Sequence, residues 1–428
     1  MSWLLTMQRW AAPRDAAPLQ QRNFLYVQLE GLGVSLANAL TPFLPVFVAR
    51  LGASNFEVGL LSSMPAFTGL VLAIAIGRLL QGQQKIVPWY AWARGLSILA
   101  FAAMALLTMV VPARYAVLAV LAIWAVSTLP QTVVSICFSL VMDGVAGPKR
   151  RYDLLSRRWS LMGLVTAVLV FLTGQVLARL GFPINFQAVF IVLSLGGVVS
   201  WYFSRKLDLP THTPPVRQAG VVRRPVLSRL AGLSARLRAE PAFARFTAQR
   251  FIYLAGVSLA APIFPLYYVR VMRASDASIG LISMSQTLTL LIGYRLWTRV
   301  SQRRGARTVL LLTTLMLALY PALTAATASV GLMVVLAGAA GIFQAGLDLV
   351  FFDELMKRVP ASQAPLFISF DTSAQNLSAV AAPLLGTLLA DRIGLGGALL
   401  VSAAIRLVAC FLFARGRPLA EAAETAAA

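Results

Sequence analysis

The chain has 428 residues, of which 59% are hydrophobic and only 12% charged, and its mean hydropathy is +0.77. Soluble domains carry roughly twice that share of charge, so a water-soluble globular chain is excluded. A net charge of +22 would point a soluble protein toward nucleic acid, but here the cations lie between apolar runs, and no nucleic-acid partner is expected.

A membrane span needs about 20 mostly apolar residues. Read in chain order, spans are expected near 24–49, 56–80, 88–111, 115–142, 157–180 and 185–204, then near 246–270, 279–300, 307–328, 331–352, 366–390 and 395–414. Residues 3–10, WLLTMQRW, read either as a short interfacial helix or as a frayed end. The first apolar run is too long for the core of a signal peptide and is expected to stay as a helix. The Arg- and Pro-rich stretch from Arg205 to Arg245 separates two six-span groups, and its LSRLAGLSARLRAEP segment has the spacing of an amphipathic helix. The organisation is therefore a tail over 1–22, a bundle over 23–204, a basic linker over 205–245, a second bundle over 246–414 and a tail over 415–428.

An even number of spans places both ends on one side. The loops on that side carry Arg9, Arg14, Arg22, Lys149, Arg150, Arg151, Arg157, Arg158, Arg299, Arg303, Arg304 and Arg307. The other side has little beyond Arg50, Arg114, Arg179, Arg270, Arg273 and Arg392. This asymmetry predicts cytoplasmic termini and a location in the plasma (inner) membrane. Cys137 and Cys410 lie inside apolar runs and read as small buried hydrophobes, while the lone histidine, His212, falls in a polar loop. No metal site, disulfide or cofactor is expected. A phosphate-binding Gly-x-x-x-x-Gly-Lys sequence and catalytic clusters are both missing, so neither an ATP-driven pump nor an enzyme is expected.

The two halves repeat. Pro42, Pro45 and Arg50 share their spacing with Pro262, Pro265 and Arg270, 220 residues later; Ala53-Ser54 and Gly59-Leu60-Leu61-Ser62 match Ala274-Ser275 and Gly280-Leu281-Ile282-Ser283, 221 residues later. The chain therefore resembles the major facilitator superfamily (MFS), in twelve spans, a six-plus-six split and a long basic central loop. Its all-α fold is expected to be two pseudo-symmetric six-helix bundles. The family's loop signature, G-x-L-x-D-R-x-G-R-R, is degenerate here. Gln81 stands at the acidic position of the copy beginning at Gly77, and Gln302 at that of the copy running through Arg303. The resemblance implies that the signature's aspartate helps latch the cytoplasmic side; Gln can hydrogen-bond but supplies no charge, so latching is expected at other residues.

Ionisable groups at membrane depth are costly and default to functional hypotheses. Glu30 heads them, on a stripe with Gln28 and Asn38; the resemblance makes it the proton-coupling carboxylate, with Asp348 second, and a structural ion pair is the competing reading. Arg94, Arg250 and Arg295 are expected to bind or neutralise an anionic group, with Gln131, Gln344 and Asn376 lining the cavity. Gln81, Arg158, Gln302, Arg303 and Asp371 are expected at a cytoplasmic gate, where the repeat places Glu30 opposite Arg250 and Arg158 opposite Asp371. Trp124, Tyr253, Tyr294 and Trp297 are available to stack on an aromatic solute. The resemblance implies a monomer that moves a small solute by alternating access, coupled to protons, with drug-like compounds or organic anions as substrates. A non-transporting protein on the same scaffold, an assembly factor or receptor, is the alternative.

Overall fold

The computed structural model describes residues 17–209, 240–359 and 364–415. His212, the amphipathic linker segment and the interfacial piece at 3–10 lie outside them. Among the described residues, ten helical runs are long and apolar enough to cross a bilayer. Two of these, Asp276–Ala325 and Leu366–Arg415, are 50 residues long, about 75 Å at 1.5 Å per residue against a roughly 30 Å hydrocarbon core. Each is in fact two spans. Gly305 (φ 81°) and Gly394 (φ 79°) break the long helices, as Gly147 (φ 66°) breaks Ala113–Arg179. Those angles are open to glycine and costly for other residues. Counted this way, the described residues form twelve spans, as the apolar runs predict.

Span 1 is Pro18–Asn38 continuing as Phe43–Arg50, span 2 is Asn55–Gln81 and span 3 is Val87–Val110. Spans 4 and 5 are the arms of Ala113–Arg179, and span 6 is Ile184–Ser194 continuing as Gly196–Ser204. Span 7 is Pro241–Ala260 continuing as Ile263–Arg270, spans 8 and 9 are the arms of Asp276–Ala325, span 10 is Val330–Arg358, and spans 11 and 12 are the arms of Ala364–Arg415. The first helix begins inside the expected tail, and span 7 begins inside the expected linker. Span 10 runs past its expected end near 352, because Asp353 pairs with Lys357 at 2.5 Å and Glu354 pairs with Arg358 one turn on. Such pairs, with cations at a helix C-terminus, sustain the last turn in water.

Prolines shape the interior. Span 1 breaks at Pro42 and span 7 at Pro262, where the ring cannot continue the ladder. Inside a helix, a proline also leaves the carbonyl four residues earlier without its donor. Pro65 in span 2 does this to Leu61, whose oxygen accepts from Trp124 Nε1 at 2.9 Å. Pro321 in span 9 does it to Leu317, whose oxygen accepts from Arg406 Nη1 at 3.1 Å. Arg406, 4% exposed and without an acidic partner among the described residues, is thus held by backbone carbonyls, the second being that of Gly256 at 3.4 Å.

The halves meet along spans 5 and 8 and along spans 2 and 11. A Cβ on Gly174 of span 5 would lie 2.7 Å from the Asp276 carbonyl, and one on Gly280 of span 8 would lie 2.9 Å from that of Val170. Only glycine permits this approach. The repeat equivalent joins Gly59 of span 2 to Thr387 of span 11, at 2.9 Å from a Cβ at Gly59. Polar contacts between the halves cluster at the same membrane face, the one away from the start of span 1, called the far face below. Arg50 Nη1 meets Asp276 Oδ2 at 2.7 Å; reciprocally, Arg270 donates to the Asn55 side chain at 2.5 Å and to the Ala53 carbonyl, while Asn55 Nδ2 donates to Asp391 at 2.6 Å. Both arginines come from the proline repeat, and their side-chain partners Asn55 and Asp276 directly follow the Ala-Ser pairs. Ser54 and Ser275 cap spans 2 and 8 through the Glu57 and Ser278 amides, each at 3.2 Å, which fixes where Asn55 and Asp276 sit.

Candidate functional site

Glu30 is 1% exposed and fully engaged. Arg158 of span 5 pairs with its Oε2, while Arg94 Nε, Tyr90 O–H and Ser200 O–H reach Oε1 at 3.1, 3.2 and 3.2 Å. Arg158 also donates to the Val27 carbonyl at 2.8 Å and lies over the Phe138 ring, its guanidinium carbon 5.6 Å from the centroid. In the second half Arg250 pairs with Asp371, Gln375 Nε2 donates to the same carboxylate at 2.5 Å, and the guanidinium lies 5.3 Å from the Phe351 centroid.

These two clusters are one arrangement with its charges reversed. Glu30 and Arg250 are 220 residues apart, while Arg158 and Asp371, like Phe138 and Phe351, are 213 apart. Each half thus joins its first span to its fifth by a buried ion pair, with an aromatic ring of its fourth span beneath the arginine. Arg158 and Asp371, expected at a cytoplasmic gate, are buried, at 1% and 2% exposure, and each pairs within its own bundle. Glu30 and Arg250, expected to meet across the halves when the cavity opens outward, here pair within their own halves.

Asp348 is different. It is exposed on span 10, about 15 Å along the helix from Arg358, which is mid-membrane depth. Its hydrogen-bond donors are neutral: Gln344 Nε2 reaches Oδ1 at 2.7 Å and Tyr294 O–H reaches Oδ2 at 3.1 Å. Arg250 is near enough to act on it electrostatically, though its own hydrogen bonds go to Asp371 and Gln375. Gln344 and Asp348 are the repeat counterparts of Gln131 and Ser135 on span 4, again 213 residues apart. Gln131 Nε2 donates to Ser127 Oγ at 3.1 Å, and Ser135 is exposed.

Of the remaining sequence candidates, Asn38 is exposed near the break in span 1 and Asn376 is half-buried beside Gln375. Gln28 is instead buried, its amide unpaired. Arg295 shares a helical face with Ile292, Leu296 and Arg299, all exposed; that apolar stripe with arginines toward the helix end has the pattern of a snorkelling lipid-facing edge. It takes no part in the Asp348 network. Gln302 and Arg303 are exposed beside the Gly305 turn, and the Gln81 side chain lies outside the described residues. Among the aromatic candidates, Trp124, Tyr253 and Trp297 have their donors on the carbonyls of Leu61, Thr314 and Ile342. Tyr90 and Ser200 are site residues that the sequence did not single out; the only available signal was the repeat, which says nothing about third and sixth spans.

No curated protein sequence matches the chain. The Major Facilitator Superfamily sequence model matches residues 246–428. Among solved structures, a bacterial homologue of the iron transporter ferroportin in its inward-facing state superposes with TM-score 0.70 at 14% identity, covering 93% of this chain and 98% of that one. The nucleoside transporter NupG gives TM-score 0.66 at 11% identity over 93% and 98%, and the human organic anion transporter MFSD10 gives 0.59 at 17% over 93% and 100%. At these identities the likeness is one of fold. The second half of the chain thus resembles the Major Facilitator Superfamily in sequence, and the chain shares over 92–94% of its length the all-α membrane fold of these transporters.

Proposed function

We propose that this multi-pass membrane protein moves a small solute across the bilayer by alternating access, with a site between spans 4 and 10 at mid-membrane depth. The observation that carries the reading is Asp348, an exposed carboxylate at that depth with neutral donors, while Glu30 and Asp371 are buried and tied to arginine. Contacts between the halves gather at the far face, which supports a cavity open toward the face where the chain's spans begin and end. Basic loops favour assigning that face to the cytoplasm of an inner membrane, with a single chain as the working unit. A resemblance in fold to a transporter in its inward-facing state agrees with this geometry.

Proton coupling then belongs to Asp348 rather than Glu30. A carboxylate held by two arginines must give up both to accept a proton, whereas Asp348 loses only neutral hydrogen bonds. With a pH dye trapped in proteoliposomes, solute addition should change lumenal pH for the wild type and not for Asp348→Asn. A pH change that survives the substitution transfers the role elsewhere, and the absence of any exchange across a broad solute panel favours a non-transporting protein.

A further inference from the structure

Resting on that reading, we propose that the solute is a monovalent organic cation, an aromatic amine or quaternary ammonium, held at Asp348. The charges at membrane depth carry the argument. In the second half stand Arg250, Asp371 and Asp348; the first two pair with each other, and Asp348 forms no ion pair among the described residues, although Arg250 lies near enough to act on it, so the three groups together carry one net negative charge. Tyr294 and Gln344 each satisfy one of its oxygens with a single donor, and a carboxylate has further lone pairs to offer an N–H or a methylammonium. One turn along span 10, Phe352 is 61% exposed. Its ring and that of Tyr294 present faces on which a cation gains energy. Across the repeat, Gln131, Ser135 and Ser139 give span 4 an uncharged polar wall.

An anion fares worse in the same place. Arg158 pairs with Glu30, Arg94 lies 3.1 Å from Glu30 and donates to Tyr90, Arg250 donates to Asp371 and Gln375, and Arg406 to two backbone carbonyls. Arg295 sits on the apolar outer stripe. Each guanidinium group of Arg158, Arg94, Arg250 and Arg406 already faces a carboxylate or backbone carbonyls that an incoming carboxylate or sulfonate would have to displace, and Asp348 repels it. One carboxylate cannot hold a proton and an ammonium together, so the two exclude each other at this site and travel in opposite directions.

Three matched biaryl probes test the sign of the site: 1-methyl-4-phenylpyridinium, neutral 4-methylbiphenyl and biphenyl-4-carboxylate. Equilibrium dialysis against the purified full chain should show the pyridinium binding at least tenfold tighter than the carboxylate. Asp348→Asn should remove about tenfold of pyridinium affinity and leave the neutral probe unchanged, with Asp348→Glu restoring part of the loss and an unaltered melting profile certifying the fold. Tighter binding of the carboxylate, or pyridinium affinity indifferent to Asp348→Asn in a folded chain, overturns the inference. Counterflow in proteoliposomes separates the two levels. Pyridinium that binds but never exchanges sinks the transport reading alone, while exchange of only the anionic or neutral probe sinks the cation and keeps transport.

Discussion

Glu30 and Asp348 are both acids at mid-membrane depth, and their neighbours give them opposite work. Removing the charge at Glu30 leaves Arg158 buried without a counter-ion, a situation that costs about 3–5 kcal/mol. Glu30→Gln should therefore lower the unfolding midpoint in detergent, whereas Asp348→Asn should leave it nearly unchanged; equal melting of both variants would remove the structural role assigned to Glu30. A double-mutant cycle between Glu30 and Arg158 should show coupling of more than about 1 kcal/mol, and one between Glu30 and Arg250 close to none, since contact residues couple and distant ones add. Arg406 offers a third case. Arg406→Leu strands the Leu317 carbonyl in a dry interior, at about 1–3 kcal/mol, and Pro321→Ala should recover part of that by returning the backbone donor. Identical losses with and without Pro321 would show that the guanidinium acts elsewhere.

At the scale of elements, the far-face clasp is reciprocal. Arg50 at the end of span 1 grips the start of span 8, and Arg270 at the end of span 7 grips the start of span 2. The glycine contact of Gly174 with Gly280 lies beside it. Arg50→Ala should loosen the clasp and Gly280→Val should wedge it, so both shift the population toward a form open at the far face, by about tenfold for a coupling of typical size. Spin labels at Leu180 and Val271, both exposed near that face, should report a longer separation; unchanged distances in both variants would show that closure is held by other contacts. The repeat exposed the two arginines of the clasp, because prolines and loop letters are informative against an apolar background; Asn55 and Asp276, one residue past the matching Ala-Ser pairs, differ in type and gave no such signal. It gave equivalence and not contact. Knowing that Arg50 matches Arg270 does not tell which span each one reaches.

For the whole molecule, the twelve spans and the division into halves were legible because a run of about 20 apolar residues has few other uses. The partners of the buried charges were not. Glu30 and Arg158 lie 128 residues apart, and three-dimensional packing decides whether a matched acid and base meet across the halves or within them. Orientation rests on loop charge, and epitope tags on both ends should be accessible from the cytoplasmic side of intact cells only after permeabilisation. A tag reached from outside would reverse every assignment of inner and outer.

Gly305 is the entire turn between spans 8 and 9. A connection of one residue has no slack, so torque on span 8, which touches the opposite half, passes directly into span 9 and from there to Arg406. Lengthening that joint by three glycines should uncouple the two helices and slow turnover while solute affinity stays the same; the joint is a drive shaft, and stiffness is what it contributes.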